Sequence, residues 1–429
     1  METTEITAFA LGTPNAGELN QLYGAFRALS ELLGTSQKKE RMFLLPKGMS
    51  DVSDLKDTVS FSKYADYDSF KADVYGMLDV YFQSCDVVPR VFITAYNQSE
   101  NECAGRNTDA ICRIVKEYYQ DKKLGDVFTT VLTSRLHKYK YVDLINIPKH
   151  LLTFTSRIRL LQDSRLRKKS LITIGTINNF SRQVIQEKNK DFLDVLKTSK
   201  ADESLNEIVK KLEHFVNMPK KAVVCLGGRV EGPEIVFNIS YAKKLCADAE
   251  KLVHNGYAVA FVNGPRTPND VTDFLYERVK NNPNILFHNC KKIAEDDEDR
   301  MPKRWRIYSG PHEEDFKNMQ KIGNIYPAIL GFKNTLVVHT MDSYASCETA
   351  NAAVPTAISS KGIHVDPDVR YDCHNLVQLL CPKYAIDWDE FVHITSHMKI
   401  EPKALNPQVL SSPLRVFAEA VVNRINARR

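Results

Sequence analysis

Three short segments in the second half of the chain place glycine, arginine, serine and acidic residues directly after apolar runs. In the first segment, Gly227, Gly228 and Arg229 follow the run at residues 222–226. Glycine has no Cβ, so its backbone can come close to a phosphate group. A glycine pair after a strand is also typical of a tight turn. A phosphate-binding and a purely structural interpretation therefore both remain open.

The second segment, Arg266 and Thr267, follows the apolar run at 257–262 and precedes a helical pattern. Thr267 is a suitable N-cap for that helix, with Pro268 at its first position. Arg266 is then expected near the carboxyl end of a parallel strand, the edge at which open α/β sheets bind ligands. A guanidinium group there suits a phosphate, and an ion pair with a nearby acidic residue is the structural alternative.

The third segment opens a helical pattern after the apolar run at 335–339. The first turn of this helix would present unpaired N–H groups and the hydroxyls of Ser343 and Ser346 to an anion. Asp342 and Ser343 are equally ordinary N-cap residues. Glu348, on the same helix, can accept hydrogen bonds from the two hydroxyls of a ribose. The three segments together predict a nucleotide site.

The first half of the chain contributes one candidate for proton transfer. Glu18 lies at the start of a helical pattern, after a loop of small residues at 12–17. A carboxylate near a cleft of low dielectric constant can take a proton from an attacking hydroxyl group, as a general base does. A glutamate in the first turn of a helix is also favoured by the helix dipole alone.

Two other patterns carry weaker chemical information. His393 and His397 are four residues apart, so both can lie on one side of a helix and bind a metal ion. The sequence offers no third ligand, and neither a metal nor another cofactor is expected. Residues 156–169 are rich in arginine and lysine. This run is either a solvated face or a surface that contacts an acidic lipid headgroup or a phosphorylated acceptor.

These segments are positioned by an alternation of short apolar runs with helical patterns. The alternation predicts parallel strands joined by crossover helices, and therefore an α/β fold with two Rossmann-like domains. Residues 1–217 are expected to form the first domain, with an insertion at about 36–88 that is rich in Lys, Asp, Ser and Tyr. Residues 218–411 form the predicted nucleotide-binding domain. Residues 412–429 are expected to form a final helix that packs back on the first domain.

Composition limits the class of protein. The chain has 429 residues, 43% of them hydrophobic and 26% charged, as in globular proteins of two or three domains. The nine cysteines include no C-x-x-C pair, which argues against a disulfide framework or a zinc knuckle and indicates a reducing compartment. No signal peptide and no long apolar span is recognisable, so a cytoplasmic location is expected, with peripheral membrane contact as an option. A net charge of +5 does not demand a nucleic acid partner, and none is expected.

The motifs, taken in order, resemble those of the plant mitochondrial fission family, named for elongated mitochondria, and of its proteobacterial relatives of GT-B type. The resemblance extends along most of the chain, through the segments at 17–21, 143–150 and 172–176 and the three segments described above. It implies a GT-B fold, in which two Rossmann-like domains face each other across a cleft. It also implies that the C-terminal domain holds a nucleotide-diphosphate-sugar donor without a metal. The residues that it assigns to the donor are Gly227, Gly228, Arg266, Thr267, Asp342, Ser343, Ser346 and Glu348.

The sequence departs from the family pattern at several of these positions. Glu18 stands where a histidine is common, and Pro265 stands where a second arginine is common. The interval between Asp342 and Glu348 is one residue short. These departures leave three functions open: a glycosyltransferase, which is favoured, a non-catalytic adaptor like the plant members, and a nucleotide-sugar epimerase. The expected partners are a nucleotide-sugar and an acceptor of unknown identity, with an anionic lipid or a glycan as candidates.

Overall fold

The computed structural model contains two six-stranded parallel β-sheets in two separate parts of the chain. The structure describes residues 8–12, 16–33, 41–44, 67–83, 87–95, 103–200, 202–227, 235–264, 266–293, 307–340, 343–360, 364–365, 367–397, 402 and 413–428. The first compact unit comprises Met1–Asn179 and Ser411–Arg429, and the second comprises Phe180–Leu410.

The first sheet is parallel throughout, with the strand order β2-β1-β3-β4-β5-β6. Its strands are β1 (Ala8–Gly12), β2 (Arg41–Leu44), β3 (Val91–Ala95), β4 (Phe128–Leu132), β5 (Leu144–Pro148) and β6 (Ser170–Thr173). The central strands β3, β4 and β5 are buried at every position, as expected for a parallel sheet covered on both faces. Neighbouring residues of β1 show this directly, since Phe9 and Ala10 pack into different apolar clusters.

Six α-helices accompany this sheet within the described residues. They are α1 (Ala16–Leu33), α2 (Tyr67–Gln83), α3 (Cys103–Asp121), α4 (Phe154–Gln162), α5 (Ser164–Lys169) and, at the C-terminus, α15 (Pro413–Asn426). The last helix packs on α1 and β6, with Phe417 and Val421 in the same apolar cluster as Phe26 and Leu29. Arg428 adds an ion pair of 2.8 Å from its guanidinium to the Asp143 carboxylate.

The second sheet has the strand order β10-β9-β7-β13-β14-β16, again parallel. Its strands are β7 (Lys220–Cys225), β9 (Tyr257–Val262), β10 (Ile285–His288), β13 (Thr335–Thr340), β14 (Thr356–Ser359) and β16 (Ile386–Asp387). Two small strand pairs lie outside it, formed by β8 (Ile235–Val236) with β15 (His364–Val365) and by β11 (Lys292–Ile293) with β12 (Ile307–Tyr308). Val223 and Val224 pack into different clusters, so this sheet also has an apolar core on each face.

The helices of the second unit follow the same alternation. They are α6 (Arg182–Ser199), α7 (Asn206–Asn217), α8 (Ile239–His254), α9 (Asn269–Val279), α10 (Glu313–Lys321), α11 (Tyr326–Ile329), α12 (Ser343–Asn351), α13 (Pro367–Leu380) and α14 (Trp388–His397). The predicted α/β class with two Rossmann-like parallel sheets is confirmed by this arrangement. Among the described helices, none is long and apolar enough to cross a membrane.

The division between the units differs from the predicted boundary near residue 217. Helices α6 and α7 belong to the second unit, because Phe192 and Leu212 pack in one cluster with Val223 of β7. The segment at 36–88, which was predicted as an insertion, also carries elements of the first unit. Strand β2 pairs with β1 at the sheet edge, and α2 packs its apolar face into the unit's core.

Candidate functional site

The order of strands in the second sheet defines where a ligand would bind. The chain passes from β7 to β9 and β10 on one side of the sheet, then returns to β13, β14 and β16 on the other side. Connections from β7 and β13 therefore leave in opposite directions at the carboxyl ends of two neighbouring strands. In open α/β sheets, this reversal point opens a crevice that holds the ligand.

Gly227 forms the floor of this edge, next to the end of β13. A Cβ on Gly227 would collide with the carbonyl oxygen of Thr340. The amide of Gly227 donates a hydrogen bond of 2.6 Å to the Thr340 hydroxyl, which lies 3.1 Å from the carbonyl oxygen of Cys225. The glycine is thus required for close packing of two strand ends. Its amide already has a protein partner, so the tight-turn interpretation accounts for this residue.

Thr267 joins the ends of β7 and β9. Its side chain is completely buried, and its hydroxyl accepts a hydrogen bond of 3.0 Å from the amide of Gly264. The same hydroxyl lies 2.8 Å from the carbonyl oxygen of Gly227. The prediction that Thr267 caps the following helix is wrong, because α9 begins at Asn269 and Pro268 occupies the cap position without a side-chain bond. The threonine hydroxyl is held instead by the strand ends.

Arg266 lies beside Thr267 in the loop that follows β9 and is half-buried. Within the described part of the chain, its guanidinium group forms neither a hydrogen bond nor an ion pair. The alternative of an ion pair with a nearby acidic residue is therefore not found among those residues. A guanidinium group at this sheet edge, with no bonding partner among those residues, is suited to bidentate contact with a phosphate.

A buried lysine, which was not predicted from the sequence, stabilises the loop between β9 and α9. The Lys291 ammonium donates a hydrogen bond of 2.8 Å to the carbonyl oxygen of Thr267 and a second one to the side-chain oxygen of Asn269. Burial lowers the pKa of Lys291 to about 8, against the opposing effect of Asp273 and Asp270. The position of Lys291 shortly after the apolar run at 285–288 was the available signal, because carboxyl ends of parallel strands share one edge.

Two asparagines tie the ends of β9 and β10 together and were also missed. The Asn263 side chain donates a hydrogen bond of 2.6 Å to the side-chain oxygen of Asn289. The Asn263 side-chain oxygen accepts one of 2.7 Å from the amide of Cys290. Both asparagines are buried, and their amide groups satisfy backbone and side-chain partners at the edge. This network fixes the loops on which Arg266 and Lys291 lie.

Helix α12 follows β13 and carries the third predicted segment. Glu348 is half-buried, and its carboxylate accepts a hydrogen bond of 3.2 Å from the Tyr326 hydroxyl. Ser346 is completely buried. Thr349 anchors the helix to the sheet, since its hydroxyl lies 2.9 Å from the His339 ring nitrogen and 2.9 Å from the Thr356 hydroxyl. These contacts fix the orientation of α12 relative to β13 and β14.

The structure thus connects some of the predicted site residues directly and leaves others undescribed. Gly227 and Thr267 contact each other at the edge, and Arg266 adjoins them in sequence. Gly228, Arg229 and Asp342 lie outside the described residues, as do the side chains of Ser343 and Glu18. The backbone of Glu18 lies in the first turn of α1, in the first unit.

The paired histidines of α14 are exposed, with ring centroids 4.9 Å apart. Across the residues that the structure describes, no group of three or more histidine, cysteine, aspartate or glutamate side chains could hold a metal ion. The pair thus has no third ligand within that part of the chain.

Comparison with known proteins gives only structural similarity. No protein-family model matches the chain, and no curated protein matches it. The UDP-GlcNAc 2-epimerase of Neisseria meningitidis, solved with UDP-GlcNAc, is 10% identical, with 98% of this chain and 99% of that chain covered and a TM-score of 0.46. A UDP-glucosyltransferase from Polygonum tinctorium is 10% identical, with 99% and 95% covered and a TM-score of 0.42. The sucrose-phosphate synthase of Thermosynechococcus elongatus is 10% identical, with 99% and 100% covered and a TM-score of 0.38.

Proposed function

We propose that the second unit binds a nucleotide-diphosphate-sugar at the carboxyl edge of its sheet, and that the protein is a glycosyltransferase of GT-B type that needs no metal. One observation carries the proposal. Arg266 has no protein partner among the described residues, and it follows the strand that lies next to the reversal point between β7 and β13. The resemblance to the mitochondrial fission family rests on sequence motifs alone.

The chemistry of sugar transfer suits these groups. The departing nucleoside diphosphate gains negative charge as the bond to the sugar breaks, and preformed positive groups stabilise that charge. Arg266 would supply two parallel hydrogen bonds to phosphate oxygens. The N-terminus of α12 would add its helix dipole at the neighbouring strand end. Lys291 does not need to touch the ligand, because its bonds to the Arg266 loop position that arginine.

Glu348 is the proposed contact to the nucleoside ribose. Its carboxylate accepts a hydrogen bond from the Tyr326 hydroxyl. A carboxylate can accept several hydrogen bonds, and in the proposed complex it accepts the two ribose hydroxyls. Glu18 of the first unit stays the predicted base that deprotonates the acceptor, and Glu18→Gln should then abolish transfer while leaving nucleotide binding intact.

Thermal-shift titration with nucleoside diphosphates and their sugar conjugates tests the binding step. A ligand at about 100 times its dissociation constant should stabilise the second unit by ~2.7 kcal/mol. Arg266→Ala should weaken binding by about 10- to 100-fold, since one bidentate charge-assisted contact is removed. Arg278→Ala is the matched control, because Arg278 is an exposed arginine on α9 that pairs with Glu250. The proposal fails if no nucleotide stabilises the protein, or if both arginine variants lose binding equally.

Product analysis then separates the remaining functions. Incubation with the identified nucleotide-sugar should release nucleoside diphosphate when a suitable acceptor is present. An altered sugar still attached to the nucleotide, formed without acceptor, would identify an epimerase instead. Binding without any turnover across a broad acceptor panel would favour the non-catalytic adaptor.

A further inference from the structure

The α4–α5 surface of the first unit combines exposed apolar side chains with basic side chains that form no ion pair with any described residue. We define this surface as the exposed residues Phe154, Arg157, Arg159, Leu161, Arg165, Arg167 and Lys168. Phe154 is 71% exposed and Leu161 is 75% exposed, although both are large apolar residues on a well-formed helix. Isolated exposed apolar residues are common, but a row of them along one helix face is typical of an interaction site.

Helical spacing places the apolar side chains of α4 on one stripe. At about 100° per residue, Phe154, Ile158 and Leu161 fall within an arc of roughly 60°. The core contact is made elsewhere, by Leu160, which packs into the apolar core of the first unit, as Leu166 of α5 does. The stripe therefore does not serve the fold, because α4 and α5 are already anchored by these two leucines.

The positive charge of this surface has no protein counter-charge among the described residues. The side chains of the five basic members of the surface form neither hydrogen bonds nor ion pairs there. The only acidic residue between 154 and 169 is Asp163, whose carboxylate caps α5 by accepting from the amides of Arg165 and Leu166 at 3.0 Å. Helices α6 and α7 differ, because three exposed lysines there pair with acids three residues away, as Lys210 does with Glu207.

We propose that the α4–α5 surface docks the protein on an anionic lipid bilayer, with Phe154 and Leu161 inserted among the headgroups and acyl chains and the arginines against lipid phosphates. An apolar stripe flanked by basic residues on a surface helix is the arrangement that binds in the plane of a membrane interface. Unpaired cations complement the negative potential of anionic lipids. Binding of single-stranded nucleic acid would call for a row of aromatic rings on which bases stack, whereas the residues that define this surface include a single aromatic ring, that of Phe154.

Vesicle flotation of the full chain tests the docking. The protein should float with phosphatidylcholine vesicles that contain about 30% phosphatidylserine, and far less with phosphatidylcholine alone. Phe154→Ser/Leu161→Ser should lower partitioning by about tenfold or more, because both apolar side chains are removed. Val80→Ser is the matched control, since Val80 is a 60% exposed apolar residue on α2 of the same unit. That control should float like the wild type.

A second pair of variants isolates the charge. Arg157→Gln/Arg167→Gln should lower partitioning onto the anionic vesicles by about 25-fold, at roughly fivefold for each basic residue. Lys188→Gln/Lys210→Gln changes the net charge equally and should leave partitioning unchanged, because both lysines lie on helices of the second unit and are paired with acids. Thermal melts of all variants should match the wild type, since every substituted side chain is exposed.

Three results would overturn the proposal. One is equal flotation with neutral and anionic vesicles, and another is equal loss in the lysine pair and the arginine pair. The third is an absence of vesicle binding combined with tight binding to single-stranded RNA that Phe154→Ser/Leu161→Ser leaves unchanged. That last outcome would assign the surface to a polyanion rather than a bilayer. The docking does not depend on the proposed sugar transfer, so either can fail alone.

Discussion

Replacement of Gly227 by alanine should destabilise the second unit through a single steric conflict. The new Cβ would meet the carbonyl oxygen of Thr340, and this contact lies between the ends of two neighbouring strands rather than at a flexible side-chain tip. The strands β7 and β13 would have to separate locally. That movement would also stretch the 2.6 Å hydrogen bond from the Gly227 amide to the Thr340 hydroxyl.

The magnitude follows from three contributions. Overpacking a tight buried position costs about 1–3 kcal/mol. Loss of a buried hydrogen bond adds about 0.5–1.5 kcal/mol. Alanine restricts the unfolded chain more than glycine and returns about 0.4–1 kcal/mol. The expected net loss in the free energy of unfolding is therefore about 0.5–4 kcal/mol, centred at ~2.3 kcal/mol.

Tryptophan fluorescence during urea denaturation measures this loss in the correct unit. The chain has two tryptophans, Trp305 and Trp388, and both lie between residues 180 and 410. Trp388 is completely buried and donates a hydrogen bond of 3.2 Å to Asp248, so its emission should change on unfolding. Gly76→Ala is the control, because a Cβ at Gly76 of α2 meets nothing within 4 Å and lies in the other unit.

The Gly227→Ala transition should move to lower urea concentration, while the Gly76→Ala tryptophan transition should coincide with that of the wild type. Thr340→Ser retains the hydroxyl and should stay close to the wild type. An unchanged midpoint for Gly227→Ala would refute the close approach of the two strand ends, and with it the packed floor of the proposed site.

Three further outcomes follow from the charged groups of the chain. Lys291→Met removes an ammonium group whose pKa is lowered to about 8 by burial. The unfolded chain keeps that proton to higher pH, so the free energy of unfolding of the wild type should rise relative to that of the variant between pH about 8 and about 10, as measured by urea titration. Parallel pH profiles would contradict this. Burial raises the pKa of Asp143, but the Arg428 hydrogen bond and other positive partners lower it overall; Asp143→Asn should cost the first unit ~1–3 kcal/mol at neutral pH, measured by circular dichroism. This cost should shrink as the wild-type carboxyl protonates below pH about 4, and a pH-independent difference would exclude the charge as its source. Glu348→Ala should weaken nucleotide binding measured by calorimetry, whereas Tyr326→Phe should not, because only the carboxylate is proposed to hold the ribose; equal losses would point to a structural role for the pair.

The strands were the most predictable part of the fold. The runs at 91–95 and 257–262 coincide with β3 and β9, because central parallel strands are buried on both faces and read as continuous apolar runs. The run at 285–288 coincides with β10, an edge strand whose four residues are all buried. Two other edge strands carry a weaker signal. The strands β2 and β16 were not predicted, since each is short and an edge strand is bonded on one side only.

The unit to which a helix belongs was less predictable than the presence of the helix. The apolar spacing at Phe192, Val209 and Leu212 correctly indicated helices at 184–215. Such spacing shows that a helix has an apolar face, but it does not show which sheet that face packs against. The partner proved to be the sheet that follows in sequence, so the division of the chain falls at 179 rather than near 217. In α2, one lysine and several aspartates and tyrosines obscured an apolar face that includes Phe70 and Val74.

The candidate site was predictable at its edge and not in its interior. The sequence predicted that Arg266 follows the carboxyl end of a strand, and the structure has it in the loop after β9. Glycine, proline and arginine after an apolar run indicate such a strand end. The sequence could not show that the Thr267 hydroxyl bonds to the loop after β7, since that contact spans forty residues. Lys291 was missed for the same reason, because a buried ammonium is recognisable only through the carbonyl and amide oxygens that fold around it.

Hydrogen–deuterium exchange with and without bound nucleotide tests the central claim most directly. The protein would be saturated with the nucleoside diphosphate that gives the largest thermal shift. Protection should then concentrate in peptides covering 222–227, 263–269 and 340–349, the edge at which β7, β9 and β13 end. Peptides from β14 and α14 should exchange as they do in the free protein. Protection confined to other segments would contradict a nucleotide site at this edge of the second sheet.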